Sequence, residues 1–327
     1  MAGYNDLVMG YIGNKRKLVK HIFKHLPKEH KVFLDLFAGS NIVGLTAKKQ
    51  GYTVISNDVS PASHLSAKAL VENHHFLIMP QLLFRKENPQ NTLFRSNKDL
   101  FKLDEDQAIL FDSMLDNAGN VADHYLILWV YAKFMPYNNL IDIKQKDAMT
   151  EGYWDAKKIA DHKAWKRNFN MINKPLSFID KYRNIFNKHY FRNGKENLAL
   201  NLDWREAIKK AKNTDIVYCD PPYPGTASYD IFDWANIIAT KGQKITYSNE
   251  WTSNKKFLTS YVELLQKTSN IRTFIMSIGN WDVNDLLSIG RKYRPNIQVQ
   301  KISHKYNVNP HSKKKSEELI LTDFGGI

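Results

Sequence analysis

Hydrophobic and polar positions fall into two regimes along the chain. Towards both ends, short unbroken apolar runs are separated by turn residues. In the middle, apolar residues recur at three- and four-residue spacing. Val32 to Phe37 is apolar throughout except for Asp35, the pattern of a strand buried on both faces of a parallel sheet. Ala38-Gly39-Ser40-Asn41 turns the chain, and Ile42 to Lys49 reads as a helix closed by Gly51. A second strand, Tyr52 to Ser56, ends at Asn57-Asp58. From about residue 60 to 200 helical patterns dominate, over Ala62–Asn73, Asp104–Asp116, Val121–Phe134 and Pro175–His189. Strands resume at Leu198–Asp203 and, after a short helix to Lys212, at Ile216–Cys219. Further strands are expected at Lys244–Ser248, Arg272–Ser277, Ile297–Ser303 and Leu319–Thr322; either of the first two can follow the Cys219 strand. Strands alternating with helices predict an α/β sheet, and the helical stretch an insertion into it. The expected boundaries are 1–61 and 196–327 for the sheet domain and 62–195 for the insertion.

The sharpest chemistry lies where the Ile216–Cys219 strand meets Asp220-Pro221-Pro222-Tyr223. Two prolines cannot donate ladder hydrogen bonds, so the strand stops there. Asp220 and Tyr223 are then held at a strand's carboxyl end, where open α/β sheets bind ligands. Asp220 and the Pro221 carbonyl can both accept from an exocyclic amino group, and Tyr223 offers a stacking face. The grouping suits a flat, amine-bearing ring; the plainer alternative is a stiff turn. Gly39 and the helix start after it form a nucleotide-cradle geometry, without the three-glycine dinucleotide fingerprint. Asp58, about twenty residues on, is placed to accept from ribose hydroxyls. Asp35, Gly39 and Asp58 thus form a consistent cofactor set, and Asp203, at another strand end, suits an adenine amine. Near the N-terminus, Lys15, Arg16 and Lys17 open a helix with Leu18, Ile22, Phe23 and Leu26 on one face. Basic residues at a helix start oppose the dipole, which fits a bound anion or a solvated turn.

Charge narrows the partners. Lysine and arginine total 47 against 33 acids, a net charge of +14. That excess points to a polyanion, with nucleic acid ahead of membrane. The region Trp154 to Asn168 interleaves Trp, Lys, Arg and Asn, suited to phosphate contact and base-edge readout or to the wet face of an ordinary helical domain. Lys313-Lys314-Lys315 reads equally as a phosphate-contacting loop or a solubilising turn. The single cysteine, Cys219, gives no internal disulfide and reads as core packing; no metal cluster is expected. The N-terminus shows no signal-peptide pattern, and the apolar stretch Leu126 to Val130 is far short of the ~18 residues a bilayer needs. A cytoplasmic location is the expectation.

These residues together resemble the DNA adenine methyltransferase (Dam-like) family, alpha class. Tyr11-Ile12-Gly13-Asn14-Lys15-Arg16-Lys17-Leu18 resembles its N-terminal glycine-lysine motif, Asp35-Leu36-Phe37-Ala38-Gly39-Ser40 its aromatic-glycine cofactor motif, and Asp220-Pro221-Pro222-Tyr223 its catalytic motif. Phe134 to Leu140 weakly resembles a segment of its recognition domain, and Ser316 to Thr322 its closing strand. Asn14 departs from a family glycine, and Ala38-Gly39-Ser40-Asn41 from a more glycine-rich turn. Both departures argue against identity with the housekeeping enzyme. The resemblance implies a Rossmann-like methyltransferase sheet with an inserted, mainly helical DNA-recognition domain. It also implies methylation of adenine N6 in double-stranded DNA by S-adenosyl-L-methionine, with the base flipped from the helix. The implied setting is a restriction-modification, phage or housekeeping system, in the first of these with a cognate restriction endonuclease as partner. Implied catalytic residues are Asp220, Pro221, Pro222 and Tyr223; implied cofactor contacts are Tyr11, Gly13, Lys15, Asp35, Phe37, Ala38, Gly39, Ser40, Asp58, Asp203 and Asp220. The competing readings are methylation of RNA or another amino group, and a DNA-binding homologue that has lost catalysis.

The charge balance makes one expectation measurable. DNA affinity should fall steeply as salt rises, because released counterions dominate binding to phosphates. A titration of duplex binding from low to moderate salt checks this; a flat response removes DNA as the substrate.

Overall fold

The computed structural model describes residues 7–9, 15–24, 26–27, 29–101, 103–133, 174–224, 233–246, 248, 250–279, 281–304 and 316–324. Seven strands are found among them: β1 (Val32–Asp35), β2 (Thr53–Asn57), β3 (Leu198–Leu200), β4 (Ile216–Cys219), β5 (Thr273–Gly279), β6 (Gln298–His304) and β7 (Ser316–Thr322). They form one sheet in the order β3-β2-β1-β4-β5-β7-β6. All neighbours from β3 to β5 are parallel, and β7 runs antiparallel between β5 and β6. The Rossmann-like α/β class expected from the sequence is therefore what the chain adopts. Strand order reverses between β1 and β4, so their carboxyl ends flank the crevice where such sheets bind ligands.

β4 is buried along its whole length, as a run of Ile, Val, Tyr and Cys in a central parallel strand requires. Leu34, Val217, Phe274, Met276 and Leu321 are shielded from water in one cluster with Phe257, Tyr261 and Leu264 from the helix Asn254–Lys267. Each such side chain contributes roughly 1.5–3 kcal/mol by leaving water. Cys219 lies in this cluster as a free, buried thiol.

The chain divides into two compact units. One holds the sheet and comprises Tyr11–Asn73, Phe191–Tyr229 and Ile245–Ile327; the other comprises Met1–Gly10, His74–Tyr190 and Asp230–Lys244. The second unit is helical where described, with helices at Glu105–Asn117, 121–133, Pro175–His189 and Asp233–Thr240. Its core is aromatic: Phe94 lies 4.7 and 4.8 Å from Phe101 and Phe111, and Tyr131 5.2 Å from Trp234, centroid to centroid. Buried Asp112 accepts from the Phe94 and Arg95 amides and the Arg95 guanidinium, so its charge is fully partnered. Among the described residues no helix is long and apolar enough to cross a membrane.

Two expectations change. Lys244 to Thr246 and Ser248, the described part of a predicted strand, do not join the sheet, and β5 is the strand beside β4. The predicted helix Ala62–Asn73 is an α-helix only over Pro61–Ala67 and continues as a wider π turn, Lys68–Glu72. There the buried Lys48 ammonium takes the Leu70 and Asn73 carbonyls that a tighter helix end would leave without donors.

The turn after β1 is held by Asn41, which is fully buried and left-handed at φ 63°. Its Nδ2 donates to the Ser63 carbonyl (2.8 Å), and its Oδ1 accepts from the Ser56 hydroxyl (2.6 Å). Asn41→Ala leaves both partners unsatisfied in the interior and puts alanine, which lacks asparagine's tolerance of left-handed backbone, at φ 63°. It should destabilise the fold by roughly 2–4 kcal/mol. Asn41→Gly relieves only the backbone strain and should recover about 1 kcal/mol of that; denaturant unfolding of both variants measures the split.

Candidate active site

The carboxyl ends of β1, β2 and β4 collect the acidic residues picked out by sequence. Asp35 ends β1 and is buried; its Oδ2 accepts from the Gly44 amide at 2.8 Å. The helix packs so tightly there that a β-carbon on Gly44 would lie 3.1 Å from that oxygen. The other Asp35 oxygen, Oδ1, is buried with no hydrogen-bond partner among the described residues. Burial pushes the Asp35 carboxyl up to about 8, helped by the Asp220 and Asp58 charges and opposed by the Gly44 amide.

Phe37, Ala38, Gly39 and Ser40 follow in a turn stitched to both neighbouring strands. The Leu36 amide donates to the Tyr218 carbonyl (3.0 Å) and the Ala38 amide to the Asn57 carbonyl (2.9 Å). Gly39 has φ 49°, a left-handed geometry that glycine adopts without strain. Its amide donates to Asp58 Oδ2 at 2.7 Å, and the Ser60 amide to Asp58 Oδ1 at 2.8 Å. Asp58 is therefore a strand-end clamp on the glycine turn, and each oxygen keeps further lone-pair capacity. Burial lifts its carboxyl to about 6 against the pull of these two amides. Ala38 and Ser40 are buried, whereas Phe37 is half-buried with its ring 5.5 Å from Trp251 and 6.4 Å from Trp204.

Asp203 caps the helix Trp204–Lys210 by accepting from the Arg205 amide, and it is 48% exposed. Its other oxygen meets only the edge of Arg205 at 3.4 Å, so it can accept from a ligand. Arg205 itself is held by Glu250 and Glu263 and stacks over the Trp204 ring.

The last group centres on Lys15. Its ammonium lies 2.8 Å from Asp220 Oδ2 and 3.1 Å from Glu318 Oε1. Lys15 is 3% exposed and Glu318 fully buried, whereas Asp220 is 19% exposed and forms the open end of the row. Burial raises the Asp220 carboxyl to about 6; Lys15 pulls it down and Glu318 pushes it up. Pro221 is buried, Pro222 and Tyr223 partly so. The Tyr223 ring rests on Gly279 at the end of β5, where a β-carbon would come within 2.3 to 2.5 Å of its hydroxyl, Cζ and Cε2. Burial, with Glu318 next, raises the Tyr223 phenol to about 12.

Tyr11 and Gly13 lie outside the described residues, as do Phe134–Leu140, Trp154–Asn168 and Lys313–Lys315. Sequence reading missed two groups. Asn57 donates to the Leu36 and Leu202 carbonyls and accepts from the Leu202 amide, clasping the ends of β1 and β3. Its position one residue before Asp58 was the available signal. Glu318 falls one residue before the strand expected from Leu319, so its inward orientation was not legible until the strand's start was known.

Residues 11–289 match the D12 class N6 adenine-specific DNA methyltransferase family. The chain is 24% identical over 333 residues to the Type II methyltransferase M2.HphI of Haemophilus parahaemolyticus, covering 96% of each. It is also 24% identical to Modification methylase StsI of Streptococcus sanguinis and to Modification methylase LlaI of Lactococcus lactis subsp. lactis. In both cases 96% of this chain is covered, and 51% and 54% of theirs.

The buried Asp35 carboxyl gives a pH test. A carboxyl raised from 3.8 to about 8 binds its proton more tightly in the folded state, so its stabilisation is present below pH 4 and lost as pH rises towards 8. Asp35→Asn keeps the acceptor for Gly44 and removes the proton. Between pH 5 and 7 the wild-type protein should lose stability relative to Asp35→Asn by roughly 1.4 kcal/mol per pH unit. Denaturant unfolding of both proteins across that range reads the slope; a constant difference shows that Asp35 is ionised in the folded protein.

Proposed function

Since the chain belongs to the D12 class N6 adenine-specific DNA methyltransferase family, we propose that the row Lys15, Asp220 and Tyr223 receives an adenine flipped out of duplex DNA and holds its N6 amine for methylation. The observation that carries this reading is the partly open Asp220 carboxylate at the end of a buried ion cluster, beside the Tyr223 ring. An amine buried in a base stack cannot reach such a group, so the base must leave the helix.

S-Adenosyl-L-methionine, when bound, supplies a methyl group on a positively charged sulfur. The residues present fit it. Asp35, Asp58, Asp220 and Glu318 crowd this edge of the sheet beside Lys15; burial first, and the neighbouring carboxylates after it, raise the Asp35 and Asp220 carboxyls. A ligand of net positive charge relieves that crowding. The unpartnered Asp35 Oδ1 has room for a donor, Gly39 leaves the turn open to close backbone approach, and Phe37 with exposed Asp203 suits a flat amine-bearing ring.

On this reading Tyr223 stacks on the target base, while Asp220 and the Pro221 carbonyl accept its two amine hydrogens and turn the nitrogen lone pair towards the methyl group. Proximity and alignment lower the barrier. The N6 lone pair forms the new N–C bond, the C–S pair stays on sulfur, and one N6 proton leaves. Asp220, with its carboxyl near 6, accepts that proton and passes it to solvent. The helical unit supplies the DNA-reading surface, a proposal supported by its stretch Trp154 to Asn168, where Trp, Lys, Arg and Asn interleave. The relatives' names, Type II methyltransferase and modification methylase, support a restriction-modification setting and with it a cognate endonuclease.

Transfer of labelled methyl from S-adenosyl-L-methionine to an adenine-containing duplex tests the reading. Asp220→Ala should abolish transfer while folding persists, because Glu318 still neutralises Lys15. Tyr223→Phe should keep much of the activity, and Tyr223→Ala should lose stacking worth roughly 1–3 kcal/mol. Near wild-type transfer by Asp220→Ala shows that the motif is only a turn.

A further inference from the structure

We propose that Glu318 is a positioning residue for methylation: it takes a share of the Lys15 ammonium and so leaves Asp220 the negative charge with which to hold the adenine amine. The inference rests on the role assigned to Asp220 above and adds a group behind it.

Glu318 stands in β7 among Leu319, Ile320 and Leu321, all buried, and is itself fully enclosed. A carboxylate in such a strand is retained only with strong partners. The antiparallel run of β7 pairs Glu318 with Gly279, the last residue of β5, and so brings the strand's early part to the edge where the parallel strands end. Lys15 then lies between two carboxylates, at 2.8 Å from Asp220 and 3.1 Å from Glu318. One carboxylate would neutralise one ammonium. The second gives the row a net charge of minus one, and Asp220 is its member open to a ligand.

This excess has a chemical use. As the amine attacks, positive charge develops on its nitrogen, and an acceptor carrying full charge stabilises it better than one already spent on a lysine. Were Lys15 bound to Asp220 alone, Asp220 would present little more than a dipole. The other ionisable groups around Asp220 are Asp58, Tyr218 and Asp35, with Tyr223 towards the opening. Among the described residues Lys15 is the cation that acts on Asp220, so its division between two carboxylates governs the charge Asp220 presents.

A purely structural role and this one part company at Glu318→Gln, which keeps an oxygen of the same reach beside Lys15 and removes the charge. Three proteins are compared: wild type, Glu318→Gln and Glu318→Asp. Steady-state methyl transfer to an adenine-containing duplex is followed against pH. In parallel, the Asp220 carboxyl is titrated by carbon-13 NMR in the cofactor-free proteins, its signal assigned by its loss in Asp220→Asn. Glu318→Gln should lower kcat about tenfold or more, while KM for duplex and for S-adenosyl-L-methionine stays within about threefold, as for an interaction made chiefly in the transition state. Its Asp220 midpoint should fall, since a raising charge is gone, and the acid limb of kcat should move the same way. Glu318→Asp restores the charge and should return part of the midpoint shift and part of the rate.

A wild-type rate in Glu318→Gln overturns the proposal, as does an unshifted Asp220 midpoint or a loss that spares kcat and falls on KM. If Glu318→Gln does not fold, Glu318→Asp carries the test: its shorter side chain draws the second carboxylate away from Lys15, so the Asp220 midpoint and kcat should both fall part of the way, and wild-type values for both overturn the proposal. Failure of the two readings is distinguishable. A wild-type protein without adenine methylation removes the assigned reaction, while an active protein indifferent to Glu318→Gln removes only this inference.

Discussion

One buried ammonium shared between two carboxylates sets the terms for the catalytic edge of this protein. Lys15 comes from the first described turn of the sheet unit, Asp220 from the end of β4 and Glu318 from β7, close to the chain's other end. A charge removed from water is tolerated only where opposite charge meets it at close range. The three groups therefore have to arrive together, and the contact ties both ends of the chain to the middle of the sheet. It also explains the need for β7 to run against its neighbours. A parallel strand in that slot would start at the opposite edge, far from Lys15.

Around this ion row the backbone is held by amides and carboxamides. Asn57 clasps the ends of β1 and β3, Asn41 ties the glycine turn to the helix Pro61–Ala67, and Asp58 fixes the Gly39 and Ser60 amides. The turn is thus rigid before any ligand arrives, which is the condition for a donor and an acceptor to be held at reacting distance. Polar groups with this duty also carry a chemical signature. Asp35 and Asp58, enclosed by the same packing, have raised carboxyls, and one Asp35 oxygen has no hydrogen-bond partner among the described residues.

Much of this arrangement is legible in the sequence, for identifiable reasons. Ile42–Lys49, Pro175–His189 and Ile216–Cys219 have the bounds expected of them because a glycine or proline punctuates each. Asp35, Gly39, Asp58 and Asp220 fall at strand ends, and parallel order brings those ends together. Lys244 to Thr246 carry good strand formers, yet the place beside β4 goes to Thr273–Gly279, seven residues all buried. A local preference loses there to a longer apolar run. Glu318 is invisible from sequence for another reason: its relation to Lys15 spans almost the whole chain and depends on the direction of β7. Asp58 and Asp203 stand out in the sequence as acids after strands, but their hydrogen bonds to the backbone required coordinates to see.

Gly279 has a consequence for how such a sequence can diverge. Its backbone is not in the left-handed region, so conformation alone does not demand glycine. The demand comes from Tyr223, whose ring fills the volume that any other residue's β-carbon would occupy. Position 279 is therefore tied to position 223 across 56 residues of chain. Any side chain at 279 is foreclosed while a ring occupies 223, whereas one flat ring can replace another at 223 without a change at 279. The glycine acts as a restraint laid down on one strand for the side chain that follows another.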